Sequence, residues 1–261
     1  MAKINILAIG DVVDQGGCEY LSHSRLRRFA ERMNASLVVV NGENSARGNG
    51  ISPKSADSIF EAGADVITGG NHTFRRHEFY SYMESNKMAL RPANYPGQAP
   101  GNGWVIADCM GWRVLCISLM GNVFMDNQLD SPFVCADRIL SSLEGKYDAV
   151  VVDIHAEATS EKLCLARYLD GRVSAVWGTH THIQTADACV LPGGTGYITD
   201  LGMTGSKNGV LGVRTECIVH KFIEKTPVSF QPAEGGFSAE GALFCIDTAT
   251  GKCVEASAVV F

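Results

Sequence analysis

Short continuous apolar runs alternate with amphipathic segments along the first third of the chain, and the two patterns predict different elements. A continuous apolar run is typical of a buried strand, whereas apolar residues repeating every three to four positions are typical of a helix. One helix is marked by a capping Ser52, by Pro53 at its first position and by Gly63 after its end. The predicted strands are 4–9, 37–40 and 66–68, and the predicted helices are 24–34 and 53–62. This order predicts a layered α/β sheet with crossover helices.

The remainder of the chain continues the alternation and then turns mostly to strands. A Pro- and Gly-rich stretch, 91–103, predicts a long loop, and loops of that length often carry function. Further predicted helices are 78–85, 133–143 and 160–169, and further predicted strands are 104–107, 113–118, 149–154, 175–177, 197–199, 216–223, 242–247 and 253–260. Since the sequence contains no internal repeat, low-complexity segment or linker, it predicts one domain over residues 1–261.

Polar islands follow five of the predicted strands, and they hold four of the seven histidines. In a sheet of mostly parallel strands, ligands gather beyond the carboxyl ends of the strands. We therefore expect these islands to converge in the folded protein. They are Gly10-Asp11, Asn41-Gly42-Glu43-Asn44, Gly70-Asn71-His72, His155 and Gly178-Thr179-His180-Thr181-His182.

The residue types in these islands are those of a metal centre with oxygen and nitrogen ligands. Carboxylates and amides supply oxygen and imidazoles supply nitrogen, a mixture that suits Mn, Fe, Zn or Co better than Ca. Two ions need about seven or eight protein ligands, and a shared carboxylate lets them lie roughly 3.5–4 Å apart. The alternative for several of these residues is a turn or capping role. The seven candidates are Asp11, Glu43, Asn44, Asn71, His155, His180 and His182.

Composition and charge narrow the classes of function. Hydrophobic residues make up 46% and charged residues 19% of the 261, an ordinary globular balance. The net charge of −6 argues against sequence-independent binding to nucleic acid. A small anionic substrate is still compatible, because bound metal supplies local positive charge. We expect no stable nucleic-acid or membrane partner and leave a homo-oligomer open.

The start of the chain and the cysteines both predict a cytoplasmic protein. The first apolar run is too brief for a signal peptide, and no run approaches the roughly 18 apolar residues of a membrane span. Nine cysteines occur with no C-x-x-C spacing, and they are predicted to be reduced core thiols rather than disulfides or a thiolate metal site. Five of them lie beside apolar residues: Cys116, Cys164, Cys189, Cys217 and Cys245.

The polar islands resemble, in order, the G-D, G-N-H, H and G-H-x-H blocks of calcineurin-like metallophosphoesterases. Longer segments resemble the bacterial YmdB family within that group, namely 41–44, 90–96, 155–162, 169–187 and 191–205. The resemblance spans nearly the whole chain. It implies a four-layer α/β/β/α sandwich of the metallophosphoesterase type. It also implies a di-metal phosphodiesterase acting on small phosphodiesters, namely cyclic nucleotides of the 2′,3′ type, with the 3′,5′ type as an open alternative.

The resemblance also implies which residue holds which ion, with Glu43 as the bridge. The expected ligands are Asp11, Glu43, Asn44 and His182 for one ion, and Glu43, Asn71, His155 and His180 for the other. Most metallophosphoesterases carry a histidine two residues after the first Asp. Here Val13 occupies that place, so Asn44 is expected to serve instead. Fe and Mn are the favoured ions, with Zn, Co and Mg as alternatives. Residues 14–18 and Arg47 depart from the family pattern near the expected pocket mouth, where they bear on substrate preference.

His72 is left over from the ligand set and is the expected catalytic residue. A hydroxide bridging the two ions is expected to attack phosphorus in line, while His72 donates a proton to the leaving alkoxide. Two other functions stay open: a phosphomonoesterase such as a nucleotidase, and a metal-binding regulatory protein with little turnover. Five further residues are candidates for supporting roles. Asp153 and Glu157 are expected to orient a ligand His or to serve only the backbone and solvent, and Arg91 to contact a phosphate or a carboxylate. Asp200 and Thr204 are expected to form turns or to line the pocket.

Overall fold

The structure is a computed structural model that describes residues 2–261. Within that range the chain forms thirteen strands and seven helices, numbered in chain order. Strands β1 to β13 are Lys3–Ile9, Asp11–Val12, Ala35–Asn41, Val66–Thr68, Trp104–Cys109, Trp112–Met120, Ala149–His155, Ala175–Thr179, Cys189–Val190, Gly196–Ile198, Met203–Ser206, Phe237–Asp247 and Cys253–Val260. Helices α1 to α7 are Asp14–Leu21, Arg25–Arg32, Pro53–Ala62, Glu78–Ser85, Pro132–Ser142, Thr159–Tyr168 and Thr215–Glu224.

The strands form two sheets, each with a parallel group and antiparallel neighbours. The first sheet has the order β2-β11-β12-β1-β3-β4, with β13 also paired to β12, and the second has the order β5-β6-β7-β8-β10-β9. Strands β1, β3 and β4 run parallel in the first sheet, and β6, β7, β8 and β10 run parallel in the second. The polar islands after β1, β3 and β4 therefore share one edge, and those after β7 and β8 share another.

Three apolar cores separate four layers. Successive strand residues point to opposite faces, so Ile6 enters the core between the two sheets while Leu7 enters the core beneath α1 to α4. In the second sheet Val151 faces the first sheet, and Val150 packs against α5 and α6. The order helices, sheet, sheet, helices is the α/β/β/α sandwich that the sequence predicts.

One predicted strand is a helix, and the structure adds helix α1 and three short strands, β2, β9 and β11, to the predicted elements. Residues 216–223, predicted as a strand, lie in helix α7, so that prediction was wrong. Their β-favouring side chains are misleading, because the apolar positions 218, 219, 222 and 223 repeat every three to four residues, as one helical face does. Helix α1 is an addition to the predicted elements, since Gly16 and Gly17 inside it lower the intrinsic helix propensity.

Burial divides the cysteines into three groups. Cys116 is buried as predicted. Cys164 and Cys189 are exposed and Cys217 and Cys245 are partly buried, which corrects the expectation that these four lie in the core. As for the helices, none among residues 2–261 has the length and apolar character needed to cross a bilayer.

Candidate metal centre

Glu43 lies at the middle of the site, in the loop that follows β3. Its side chain is fully buried. Its Oε2 accepts a hydrogen bond from the backbone N–H of His72 at 2.9 Å, and its Oε1 accepts one from Asn44 Nδ2 at 2.7 Å. The same Oε1 lies 3.1 Å from His72 Nδ1 and 3.4 Å from His155 Nε2. This one carboxylate therefore joins residues that follow β3, β4 and β7.

The second sheet contributes two imidazoles to the same point. His155 ends β7 and His180 follows β8. His155 Nε2 lies 3.0 Å from Asn71 Oδ1 and 3.1 Å from His180 Nδ1. Ligand atoms of Glu43, His155 and His180 all lie within 4.8 Å of one another. Two ligand atoms that each lie about 2.0–2.2 Å from one ion are separated by up to roughly 4.4 Å, so these three side chains are close to the spacing of a metal site.

Asp11, Asn44 and His182 form the other half of the cluster. His182 Nε2 lies 3.7 Å from Asp11 Oδ1 and 3.3 Å from Asn44 Nδ2. Asp11 also ties the two sheets together, because its Oδ2 accepts a hydrogen bond from the backbone N–H of His180 at 3.1 Å. All seven residues named from the sequence thus converge at one place. Which of them bind a metal ion, and how, stays a prediction.

The donor set fits a cation better than it fits the protein alone. Asp11 Oδ1 is buried, and among residues 2–261 it has no hydrogen-bond partner, although His155 Nδ1 and His182 Nε2 lie 3.8 and 3.7 Å away. A buried, unpaired carboxylate oxygen is costly. Two buried carboxylates, two amides and three imidazoles around one point make an N/O ligand set suited to Mn, Fe, Zn or Co.

The electrostatics of the cluster show how the carboxylates are balanced by the protein's own groups. Burial raises the pKa of Asp11 to about 6, against the opposing charges of His182 and His155. Burial would also raise the pKa of Glu43, but the charge and hydrogen bonds of His155 and His72 hold it well below its usual range. Burial would lower the pKa of His155, yet the charges of Glu43 and Asp11 raise it to about 9. Burial and the neighbouring His155 lower the pKa of His180 to about 3.

A buried polar chain behind the site orients His155. His155 Nδ1 lies 2.9 Å from Thr179 Oγ1, and that hydroxyl donates to Asp153 Oδ1 at 2.8 Å. The ring therefore donates from Nδ1 and turns Nε2 toward Glu43. Asp153, proposed from the sequence to orient a histidine, acts through Thr179 rather than directly. Glu157 is half exposed and its Oε2 lies 3.0 Å from His180 Nε2.

The loop that carries His180 and His182 is anchored by an ion pair that the sequence did not reveal. Lys162 on α6 and Asp200 are both fully buried, with Nζ 2.7 Å from Oδ2. The same Oδ2 accepts hydrogen bonds from the backbone N–H and the hydroxyl of Thr181 at 3.2 and 2.7 Å. His180 and His182 have φ of 100° and 62°, a region that non-glycine residues avoid. Asp200 therefore does more than shape a turn, since it holds this strained loop.

Other residues singled out from the sequence lie outside the cluster. Arg91 is buried, and its Nη1 donates to the carbonyl oxygen of Pro92 at 2.9 Å rather than to a carboxylate. Thr204 is buried within β11. The three remaining histidines are exposed, as expected for surface residues: His23, His77 and His220.

Comparisons with known proteins agree with this fold. The family model described as "YmdB-like protein" matches residues 7–259. A Bacillus subtilis (strain 168) protein named 2′,3′-cyclic-nucleotide 2′-phosphodiesterase is 41% identical over 252 residues, covering 97% of this chain and 95% of that protein. A crystal structure described as a novel phosphatase, from Mycoplasma pneumoniae, superposes with a TM-score of 0.92 at 30% identity, over 100% of this chain and 94% of that one. A hypothetical protein from Thermus thermophilus superposes with a TM-score of 0.90 at 40% identity, over 99% of both chains.

We expect Gly70→Ala to disrupt the metal centre selectively. A Cβ at this position would overlap the ring of His155 and lie 2.5 Å from Glu43 Oε2, closer than real Cβ contacts allow. The measurement is bound metal by elemental analysis after loading with Mn²⁺, with thermal unfolding recorded beside it. Gly97→Ala is the matched control, since a Cβ there meets no described atom within 4 Å. Equal metal content in the two variants would contradict the geometry.

We expect Lys162→Met to destabilise the protein by about 3–5 kcal/mol, because it leaves the Asp200 carboxylate buried without its cation. The free energy of unfolding in urea is the measurement. Lys207→Met is the control: Lys207 pairs with Glu240 at 2.7 Å, but its side chain is 36% exposed. Solvent screening limits the expected loss for such a pair to about 1 kcal/mol or less. Similar losses in both variants would show that the Lys162–Asp200 pair has no special role.

Proposed function

This chain belongs to the YmdB-like family, and we propose that it hydrolyses 2′,3′-cyclic nucleotides at a metal centre built by the seven clustered residues. The relationship makes the chain a phosphodiester hydrolase. The observation that carries the proposal is the convergence of Glu43, His155 and His180, which lie within 4.8 Å of one another and come from both sheets. We propose two ions per chain, with Glu43 between them and Fe or Mn as the ions.

The proposed reaction opens the cyclic phosphate at its 2′ side. The oxygen of water bonds to phosphorus, the P–O2′ bond breaks, the 2′-oxygen takes a proton, and a nucleoside 3′-phosphate results. Bound metal ions supply positive charge that neutralises the phosphate oxygens and lowers the pKa of water at the site. The chain's own task is to hold that charge in place and to provide a proton for the alkoxide, a poor leaving group.

His72 is the residue we propose as the proton donor. Its ring is anchored to Glu43 through Nδ1 at 3.1 Å, and its Nε2, which has only a long contact of 3.4 Å to Asn71 Nδ2, is the nitrogen that we propose meets a substrate. The side chain is 28% exposed, whereas Glu43 beside it is fully buried. His72 therefore lies on the outer side of the cluster, where a leaving group would emerge.

We expect His72→Ala to keep its metal and to lose about 10²–10⁴-fold in kcat, the usual contribution of general acid catalysis. The metal should remain because the hydrogen bond to Glu43 Oε2 comes from the backbone N–H of residue 72, which alanine retains. Elemental analysis and turnover of a 2′,3′-cyclic nucleotide are measured on the same sample. The exposed His220→Ala is the control. Loss of metal in step with activity would mean that His72 supports the metal centre instead.

A substrate panel tests the activity itself. The protein is loaded with Mn²⁺ and given 2′,3′-cyclic and 3′,5′-cyclic nucleotides, bis-p-nitrophenyl phosphate and p-nitrophenyl phosphate. We expect the 2′,3′-cyclic nucleotides to have the highest kcat/KM and the aryl diester to exceed the monoester. Preference for the monoester would indicate a nucleotidase. A fully metal-loaded protein that turns over none of them would indicate a regulatory role. Elemental analysis of protein from its own host identifies the natural ion.

A further inference from the structure

A cavity of about 550 Å³ lies next to the loop that carries Glu43 and Asn44. One wall is α1 and another is the amino-terminal end of α3. The floor is formed by Ser45 and Ala46, the residues directly after the proposed ligand Asn44. The position at the carboxyl end of β3 places this cavity beside the metal centre, on the helix side of the first sheet.

Basic side chains dominate the charged lining. Arg47, Lys54 and Arg76 face the cavity together with a single carboxylate, that of Glu19. We call this space, with those three basic residues, the cationic cavity. The whole chain has 22 basic and 28 acidic residues, so the local balance is the reverse of the average. Serine hydroxyls at 45, 52, 55 and 58 add neutral hydrogen-bonding groups.

Two of the three cations are not used to hold the fold together. The salt bridges found among residues 2–261 include neither Arg47 nor Lys54. Arg76 has a structural part, because it donates to the carbonyl oxygens of Arg47 and of Asn49, the latter at 3.1 Å. Arg76 thereby fixes the loop on which Arg47 stands. Unpaired cations grouped around a cavity are a binding arrangement for an anion.

The cationic cavity is close enough to the metal centre to serve the same substrate. Arg47 follows Asn44 by three positions, and three residues of chain span at most about 11 Å. Arg76 follows His72 by four residues that include a tight 3₁₀ turn, Thr73–Arg75. A nucleotide that carries two phosphates spans a comparable distance, since its 5′-phosphate and 3′-phosphate lie at opposite ends of one sugar.

We propose that the cationic cavity binds a second phosphate of the substrate, the 5′-phosphate of a nucleotide whose 2′,3′-cyclic phosphate lies at the metal centre. This inference rests on the proposed function. It assigns Arg47 and Lys54 as specificity-determining residues and Arg76 as the residue that positions Arg47. The preferred substrate class is then the 5′-phosphorylated 2′,3′-cyclic nucleotide rather than the free cyclic nucleoside phosphate.

The test compares uridine 2′,3′-cyclic phosphate with its 5′-phosphorylated form in the Mn²⁺-loaded protein. We expect kcat/KM to be about tenfold higher for the 5′-phosphorylated form, the effect of one charge-assisted hydrogen bond. The Arg47→Ala/Lys54→Ala double variant should bring the ratio of the two kcat/KM values close to one. Lys87→Ala is the matched control for loss of charge. Lys87 is exposed and precedes the segment that pairs in parallel with β4, so it lies at the opposite end of the first sheet.

A binding measurement separates failure of this inference from failure of the proposed function. Calorimetry compares uridine 3′,5′-bisphosphate with uridine 3′-monophosphate on the same proteins, and neither compound needs to be hydrolysed. Tighter binding of the bisphosphate that the double variant loses and Lys87→Ala keeps supports the cationic cavity, even if no cyclic nucleotide turns over. The inference is overturned if the 5′-phosphate changes neither kcat/KM nor binding affinity in the wild-type protein. It is also overturned if the double variant still prefers the 5′-phosphorylated compounds.

Discussion

Two carboxylates buried at the junction of two sheets are the constraint on which the rest of this site depends. Asp11 and Glu43 are completely removed from solvent, and a buried charge is tolerated only when it is paired and hydrogen-bonded. The first sheet and its loops meet that requirement only in part, through amide and backbone donors and the ring of His72. Histidines from the second sheet lie 3.4–3.8 Å from the same carboxylates, so the two sheets are electrostatically coupled at this one end.

The contact between the sheets changes its chemistry along its length. Away from the site it is apolar, with Trp177 stacked on Phe244 at a centroid distance of 5.6 Å. At the site end it becomes polar, because the last residues of β3 and β4, Asn41 and Thr68, both donate to Asp153 in β7. The apolar part fixes the distance between the sheets, and the polar part fixes their register at the metal centre. The seven clustered residues are then held by both layers, and a shift of either sheet would change the distances to Glu43.

Much of the fold and of the candidate site was predictable from sequence, and the same physical reasons explain which features were missed. The convergence of the strand-end islands was predictable because the carboxyl ends of parallel strands lie at the same edge of a sheet. Asp, Glu, Asn and His at five such ends form a strong pattern. The Lys162–Asp200 pair was not predictable, since its members are 38 positions apart in the sequence and each lies in a segment with an ordinary local explanation. Helix α7 was predicted as a strand because its β-favouring side chains gave a stronger signal than the spacing of its apolar residues. None of its residues is buried, so no core contact requires a clear division into an apolar and a polar face. The convergence of the seven residues follows from the fold, while their ligand roles stay a prediction.

Strain in the histidine loop explains why the buried ion pair matters to a site it does not touch. His180 and His182 both hold backbone conformations that cost of order 1–3 kcal/mol each for a residue with a side chain. Such conformations persist only where the surroundings over-determine them. Thr181, between the two, is bound through its backbone and its hydroxyl to Asp200, which Lys162 neutralises. The imidazoles are thus fixed in place when the chain folds. An ion bound at the proposed centre would meet side chains that are already oriented and would not have to order the loop, which would favour tight binding.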